Sequence, residues 1–419
     1  MRPMISLDRR ALLGGLISTA AISALPASAD AMSFGRWVGA WAASQMVPNP
    51  DTTLPPDIAA DVTVRQIVRL TQGGRQFRVR LSNVCGTKPL RIGAAHAAIS
   101  ADQMTSRIDP SNARGLTFGG RTAITIPAGA EYVSDPVILT VKAFTDLTLS
   151  LYLPEAATPQ TSHPGARMIS YFAKGNHVTD TALEGARTME RWFHISGVDV
   201  MSGQGAGSIV TLGDSITDGY GVKPGTNARW PDRLAERLQA TPGKRHLSVL
   251  NHGIGGGRVL NDGTGPNALA RFERDVLSQT GVKYLIILEG VNDLGSLTRD
   301  APASAAAHAA LVESLIGAYR QMIRRAWDRG ITVYGATILP FMGFSLYHPD
   351  ALNEADRQAV NHWIRTSGEF DAVIDLDKVM ADPTRPEWLS PEYDSGDHIH
   401  PSPAGYRAMG DAIDLNLFK

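Results

Sequence analysis

A serine, an aspartate and a histidine stand in sequence segments that could together perform acyl transfer. Ser215 lies in the segment 213–218, which reads Gly-Asp-Ser-Ile-Thr-Asp, while Asp397 and His400 lie near the end of the chain. A serine hydroxyl is a weak nucleophile at neutral pH and needs a base that takes its proton during attack on a carbonyl. Imidazole exchanges protons in this pH range, and a carboxylate can orient its second ring nitrogen. These residues therefore predict the nucleophile, base and acid of a catalytic triad.

Other interpretations of these segments are simpler but explain less. Ser215 could cap the helix after its strand, and the neighbouring Asp214 and Asp218 are interpreted as turn and capping residues. His398 and His400 could begin a metal site, but no H-x-x-x-H or similar motif supplies further ligands. The glycines at 255–257 fit neither the dinucleotide-binding pattern nor the P-loop. We therefore predict neither a metal nor a cofactor.

The elements that would position these residues follow a strand–helix alternation after residue 207. The predicted strands are 208–212, 248–251, 284–289, 332–337 and 372–376, and the predicted helices are 231–238, 303–329, 353–366 and 402–417. Such alternation favours right-handed crossovers and predicts an α/β domain with a doubly wound, parallel, five-stranded sheet. The candidate residues follow the carboxyl ends of predicted strands, which is where open α/β sheets place their sites.

Residues 34–200 have a different pattern. Short segments of alternating polar and apolar residues, such as 62–70, 76–81 and 147–152, are separated by glycine- and proline-rich turns. This pattern predicts antiparallel strands in a β-sandwich or jelly-roll-like domain. Because 419 residues exceed the usual size of one domain, we predict two, at 34–200 and 208–419, joined by the glycine-rich segment 203–207.

The first 29 residues have the features of a signal peptide of the twin-arginine (Tat) type. Arg9 and Arg10 precede an apolar segment at 12–25, and Ala27–Ala29 reads as a cleavage site. A membrane anchor is the alternative, but the apolar segment is shorter than the roughly 20 residues that a spanning helix needs. We therefore predict export to the periplasm or the extracellular space, without stable membrane insertion. The formal net charge of −1 gives no basis for a nucleic-acid partner.

Four segments, in this order, resemble the SGNH (GDSL-like) hydrolase family. They are Gly-Asp-Ser-Ile-Thr at 213–217, Asn-x-Gly-Ile-x-Gly at 251–256, Gly-x-Asn-Asp at 290–293 and Asp-x-x-His-Pro at 397–401. The resemblance covers the chain from about residue 209 to its end and implies a flavodoxin-like sheet. Residues 37–41 and 134–137 are also similar to a subgroup with a β-rich domain before the hydrolase domain, the xylan-associated arylesterases and acylhydrolases. An ordinary α/β-hydrolase is disfavoured because residue 217 is threonine where its Gly-x-Ser-x-Gly motif needs glycine.

The resemblance also implies an oxyanion hole. Its donors would be the backbone N–H groups of Ser215 and Gly256 and the side-chain amide of Asn292, aimed at the oxygen that becomes negative in the transition state. Glycine at position 256 allows a close approach of the backbone. Taken alone, Asn292 could instead form an Asx-turn after its strand.

The expected function is that of a secreted serine esterase without a cofactor. The subgroup resemblance and the predicted export suggest short acyl chains, in particular acetyl esters on small molecules or plant polysaccharide. Three alternatives stay open: a catalytically silent carbohydrate-binding or surface protein, an acylhydrolase of the lipase or thioesterase type, and a metal-dependent phosphodiesterase.

Overall fold

Two hydrophobic cores divide the residues that the computed structural model describes, 35–419, into a β-rich front portion and an α/β portion. The first core extends from Val38 to Ala206, and the second from Ile209 to Phe418 with Ala42 added from the front portion. The two portions pack together within one compact unit. The predicted signal peptide at 1–29 lies outside the described residues.

The front portion consists of strands and short turns. Its strands are β1 (Arg36–Ala42), β2 (Val62–Arg69), β3 (Phe77–Ser82), β4 (Leu90–Ile92), β5 (Ala94–Ile99), β6 (Arg114–Gly115), β7 (Ile124–Ile126), β8 (Glu131–Val133), β9 (Asp146–Leu153), β10 (Ser162–His163), β11 (Ser170–Lys174), β12 (Arg187–Met189), β13 (Trp192–Phe193) and β14 (Ile195–Ser202). A four-stranded sheet has the order β1-β14-β3-β8, and a six-stranded sheet has the order β12-β11-β2-β9-β5-β6.

All strand pairs in these two sheets are antiparallel, and both sheets contribute to the first core. Strand β3 shows why the sequence folds this way: Phe77, Val79 and Leu81 are fully buried, whereas the arginines between them are only partly buried. Period-two alternation places one set of side chains on the core face. The predicted β-rich architecture with antiparallel sheets is confirmed.

The α/β portion contains five longer parallel strands, a small hairpin and eight α-helices. The strands are β15 (Gly207–Gly213), β16 (Leu247–Gly253), β17 (Val282–Leu288), β18 (Thr332–Ala336) and β19 (Ala372–Ile374), and the hairpin is β20 (Ala381–Asp382) and β21 (Arg385–Leu389). The helices are α1 (Ser215–Asp218), α2 (Trp230–Ala240), α3 (Ala268–Phe272), α4 (Val291–Ser296), α5 (Ala305–Trp327), α6 (Ala351–Thr366), α7 (Leu376–Met380) and α8 (Pro403–Ala412).

The sheet has the order β16-β15-β17-β18-β19, and each pair is parallel. This is the doubly wound, flavodoxin-like topology that the sequence predicted. Strand β15 is buried along its whole length and β17 along its last five residues, because helices cover both faces of a parallel sheet. The order reverses at β15, between β16 and β17, and a crevice forms there at the carboxyl ends of the strands.

Hydrogen bonds join the two portions directly. The Thr71 hydroxyl donates to the Val249 carbonyl at 2.9 Å and accepts from the Val249 N–H at 3.0 Å. The Gly39 N–H donates to the Thr280 carbonyl at 2.9 Å. The front portion is therefore fixed to β16 and to the loop before β17. Among the helices of residues 35–419, none has the length and apolar character that crossing a membrane requires.

Candidate active site

Ser215 is the first residue of α1, directly beyond the carboxyl end of β15. Asp214 caps this short helix: its side chain accepts the Ile216 N–H at 2.9 Å, as the capping interpretation predicted. The N–H of the first helical residue has no intrahelical acceptor. Ser215 is only 6% exposed, so its hydroxyl and its free N–H face a narrow part of the crevice.

The structure brings Ser215, His400 and Asp397 into one hydrogen-bonded chain. The Ser215 Oγ lies 2.8 Å from Nε2 of His400, and Nδ1 of His400 lies 2.6 Å from Oδ2 of Asp397. The other carboxylate oxygen of Asp397 accepts the N–H groups of Ile399 and His400 at 3.1 and 2.9 Å. Three residues of separation therefore suffice for Asp397 to hold both the ring and the backbone of its histidine.

The environment of Asp397 keeps its carboxyl group ionised. Partial burial opposes ionisation, but the hydrogen bonds from the His400 ring and from the His400 and Ile399 N–H groups outweigh it and hold the pKa of Asp397 well below its usual range. An ionised carboxylate fixes the Nδ1–H tautomer of His400. That tautomer presents the lone pair of Nε2 to Ser215.

His398 belongs to a different contact. Its Nδ1 lies 2.6 Å from Oδ2 of Asp394, its ring packs against Trp388, and its backbone φ is +69°. The two histidines of this segment therefore bind different carboxylates. Across residues 35–419, no three His, Cys, Asp or Glu side chains are grouped so that they could hold a metal ion.

The loop after β16 carries Gly256 in a tight turn. A turn closes when the Gly257 N–H donates to the Ile254 carbonyl at 2.8 Å, and Gly256 adopts a φ of +70°. A Cβ atom at this position would lie 2.6 Å from the Thr264 hydroxyl, so only glycine fits both the dihedral angle and the space.

Asn292 lies in α4, beyond the carboxyl end of β17. Its Nδ2 donates to the Gly257 carbonyl at 2.8 Å, and its Oδ1 accepts the Tyr347 hydroxyl at 2.8 Å. The side chain thus contacts the Gly256–Gly257 loop instead of closing an Asx-turn. An amide carries two N–H donors, so one remains for a ligand. Asn292 is therefore in direct contact with the loop that carries Gly256.

Asp293 fastens the continuation of that loop. Its carboxylate accepts the N–H groups of Val259 and Leu260 at 2.8 and 3.0 Å. Burial raises the pKa of Asp293 to about 6, although these hydrogen bonds oppose the shift. The Asp of the Gly-x-Asn-Asp segment therefore supports the loop.

A buried ionic cluster lies beneath the nucleophile and the loop. Arg271, whose side chain is fully buried, pairs with Asp275 and with Glu289, both at 3.2 Å. It also donates to the carbonyl groups of Gly213 and His252, at the ends of β15 and β16, at 3.1 and 2.6 Å. Burial raises the pKa of Glu289 to about 7, with Arg271 opposing the shift. This arginine ties together the two strand ends that carry the loops of the site.

Aromatic rings cover the catalytic histidine candidate. The Tyr220 ring stacks on His400 with centroids 4.1 Å apart, and the Phe344 ring meets His400 edge-on at 6.3 Å. Tyr220 remains 49% exposed, so it forms part of the rim of the crevice. Neither ring was predicted from the sequence, because both lie in loops outside the four family-like segments.

The front portion also borders the site. His163 of β10 bonds through Nε2 to Oδ1 of Asp218 at 3.0 Å and through Nδ1 to the Ser44 carbonyl at 2.8 Å. A Cβ atom on Gly165 would overlap the Asp218 carboxylate, which shows how closely the backbone approaches α1. We predicted a local turn or capping role for Asp218. The structure instead gives it a long-range bond to the front portion, which no sequence signal indicated.

One family model matches most of the α/β portion. Residues 211–408 match the model of the GDSL-like Lipase/Acylhydrolase family. This range begins within β15 and ends within α8, so it includes the end of β15, the other four parallel strands and every predicted site residue. No curated protein matches the sequence.

Similar solved structures cover about half of this chain. A GDSL-like lipase from Bacteroides thetaiotaomicron is 20% identical, with a TM-score of 0.36, over 49% of this chain and 84% of that one. A lipase/acylhydrolase from Enterococcus faecalis is 21% identical, with a TM-score of 0.37, over 49% and 92%. A catalytic mutant of an acetylxylan esterase from Geobacillus stearothermophilus is 21% identical, with a TM-score of 0.38, over 50% and 93%.

Proposed function

We propose that this protein, whose residues 211–408 belong to the GDSL-like lipase/acylhydrolase family, is a secreted serine esterase that hydrolyses short-chain carboxylic esters. The observation that carries the proposal is the chain of two short hydrogen bonds from Asp397 through His400 to the Ser215 hydroxyl. This chain supplies a nucleophile, a base and an orienting carboxylate, which is the set that acyl transfer through serine requires.

In the first half of the proposed reaction, the Ser215 oxygen attacks the ester carbonyl while its proton passes to Nε2 of His400. The tetrahedral intermediate carries a negative oxygen, which the N–H groups of Ser215 and Gly256 and the free amide N–H of Asn292 stabilise. When the intermediate collapses, His400 gives the proton to the departing alcohol. The product is an acyl-enzyme on Ser215.

In the second half, water takes the place of the alcohol. His400 accepts a proton from the water as it attacks the acyl carbonyl, and the same oxyanion donors stabilise the second intermediate. Collapse returns the proton to Ser215 and releases the acid. Asp397 stays ionised throughout and stabilises the imidazolium form of His400 in both halves.

A small cavity next to the oxyanion loop favours short acyl groups. Front-portion residues Met46, His163 and Pro164 line a cavity of about 210 Å³ together with Gly255 of the oxyanion loop. An acyl group that enters this cavity meets the front portion, which limits the length of chain that fits. We propose acetyl esters as the preferred substrates, with acetylated plant polysaccharide as a natural source that suits an exported enzyme.

The test combines an active-site variant with a substrate series. Aryl esters of increasing acyl length should give the highest kcat/KM for the acetate, and Ser215→Ala should reduce that value by about a millionfold or to background. Equal turnover by Ser215→Ala and the parent protein would refute the proposal. Acetate release from acetylated xylan, pectin and chitin oligomers then identifies the alcohol component. A maximum at long acyl chains would favour the lipase-type alternative.

A further inference from the structure

Arg167 is an arginine of the front portion whose charge is not neutralised by the protein. Within residues 35–419 its guanidinium group makes no ion pair and no hydrogen bond, and its Nε is shielded from solvent without a partner. Leaving a buried donor unpaired is costly, so a position like this calls for an external acceptor. Its backbone φ of +50° lies in the left-handed region, which an arginine adopts only where the surrounding structure enforces it.

The segment that carries Arg167 is held rigidly. The preceding Gly165 packs directly on the Asp218 carboxylate, and the Arg229 guanidinium donates to the Ala166 carbonyl at 2.6 Å. The carbonyl of Arg167 itself accepts the Gly225 N–H at 2.9 Å. The backbone on both sides of the arginine is thus tied to the α/β portion, next to the nucleophile helix α1.

This rigid position brings the guanidinium close to the catalytic groups. Its central carbon lies 5.6 Å from the centroid of the Tyr220 ring, which in turn stacks on His400. Arg167 also lines the cavity of about 210 Å³ that Gly255 borders on the side of the oxyanion loop. The other charged residue in that lining is Asp218, whose carboxylate is already bound by His163. The cavity therefore presents one positive group that is available to a ligand.

We propose that Arg167 forms an anion subsite that recognises a carboxylate carried by the ester substrate. This inference rests on the proposed esterase function and adds the substrate class: esters with a second, negatively charged group. A guanidinium fork binds a carboxylate through two parallel N–H bonds, and partial removal from water strengthens the pair. The carboxylate could belong to the alcohol, as in an uronic-acid sugar, or to the acyl group, as in a monoester of a dicarboxylic acid.

Two pairs of substrates distinguish these sources. For the alcohol side the pair is meta-acetoxybenzoate and its carboxamide, and for the acyl side it is the para-nitrophenyl monoester of glutaric acid and its carboxamide. In each pair only the charge differs, so the ratio of the two kcat/KM values measures recognition of the carboxylate. Arg167→Gln should lower this ratio about tenfold or more in the pair whose carboxylate lies on the same side of the ester as in the natural substrate. The reason is that the substitution removes a charge-assisted hydrogen-bonded pair.

The controls separate a specific subsite from general electrostatics. Arg167→Lys keeps the charge but not the fork and should retain part of the preference. Arg75→Gln removes an exposed arginine of the same front portion, away from this cavity, and should leave the ratio unchanged. If the parent protein and Arg167→Gln gave the same ratio for both substrate pairs, the proposal of an anion subsite would be overturned.

A binding measurement keeps this inference apart from the proposed activity. NMR titration of benzoate against Ser215→Ala protein should show binding that benzamide lacks and that the added Arg167→Gln substitution weakens about tenfold. If neutral esters are cleaved but benzoate binding does not depend on Arg167, the subsite fails and the esterase stands. If benzoate binding depends on Arg167 but no ester is cleaved, the esterase fails and the anion subsite stands.

Discussion

The hydroxyl of Tyr347 donates a hydrogen bond of 2.8 Å to Oδ1 of Asn292, and this bond decides which way the Asn292 amide faces. With Oδ1 occupied by a donor, Nδ2 must point to the other side, where it reaches the Gly257 carbonyl. The second Nδ2 hydrogen takes no part in either bond and remains for a ligand. Tyr347 thus acts as a positioning residue for the predicted oxyanion hole.

Replacing Tyr347 with phenylalanine should test this role. Without the hydroxyl, the amide of Asn292 is free to turn, and we expect kcat on an aryl acetate to fall about tenfold, less than the roughly hundredfold loss that follows complete removal of an oxyanion donor. KM should change little, because the donor acts on the transition state. Steady-state kinetics measure both constants.

Tyr132→Phe is a matched control, because Tyr132 is an exposed tyrosine of the front portion. It should leave both constants unchanged. If Tyr347→Phe kept the parent kcat, or changed only KM, the orientation of Asn292 would not depend on this bond.

The role of Asp397 leads to a second prediction. Asp397→Asn keeps the size of the side chain but presents an amide to Nδ1 of His400, which favours the wrong ring tautomer. We expect kcat to fall about ten-thousandfold, as such a substitution does in other serine triads. The comparison substitution is Asp394→Asn, which alters the carboxylate that binds His398 instead. It should cost far less, and equal losses in the two variants would contradict the assignment of His400 as the base.

The sequence predicted the parts of the site that depend on local patterns. Ser215, Asp397 and His400 lie in short segments that resemble those of a known family, so local sequence was enough to predict that these three side chains act together. Tyr347 was not predictable in this way, since it lies 55 residues from Asn292 in a loop without a recognisable motif. The contact between His163 and Asp218 also spans 55 residues and joins the two portions of the chain.

In the fold, too, the sequence predicted the individual strands of the parallel sheet but not the pairing of distant strands in the front portion. All five parallel strands were predicted within a few residues, because a strand buried on both faces reads as a continuous apolar segment. The order of the front sheets was not predicted. Strand β2 pairs with β9 and β11, and β14 pairs with β1 and β3, and such distant pairings leave no mark on the pattern of any single strand.

The bond between His163 and Asp218 leads to a third prediction, for stability. Both ring nitrogens of this buried histidine face acceptors, so its removal leaves the Asp218 carboxylate buried without its partner. We expect His163→Ala to lower the free energy of unfolding by about 1–3 kcal/mol and to reduce activity, because α1 carries Ser215. Denaturant titration and aryl acetate kinetics provide the two measurements.

His177→Ala is the control for that experiment. His177 also pairs with an aspartate, Asp180, but its side chain is 41% exposed. An exposed pair contributes little, so the free energy of unfolding should change by less than about 1 kcal/mol. If both variants lost the same free energy of unfolding, burial of the contact between His163 and Asp218 would add nothing to stability.

The fourth prediction concerns pH and the buried carboxyl group of Glu289, whose pKa burial raises to about 7 from an ordinary value of 4.5. The folded protein therefore keeps this proton at pH values where the unfolded chain has lost it, and the free energy of unfolding must decrease as pH rises through this window. Between about pH 5 and about pH 8 the expected loss from this group is roughly 2 kcal/mol. Glu289→Gln cannot ionise, so urea titrations at the two pH values should show a smaller decrease for the variant than for the parent. Asp293, whose pKa is raised to about 6, still makes the free energy of unfolding of the variant decrease somewhat as pH rises. Equal decreases in the two proteins would contradict the prediction and would mean that Glu289 stays ionised beside Arg271 throughout the range.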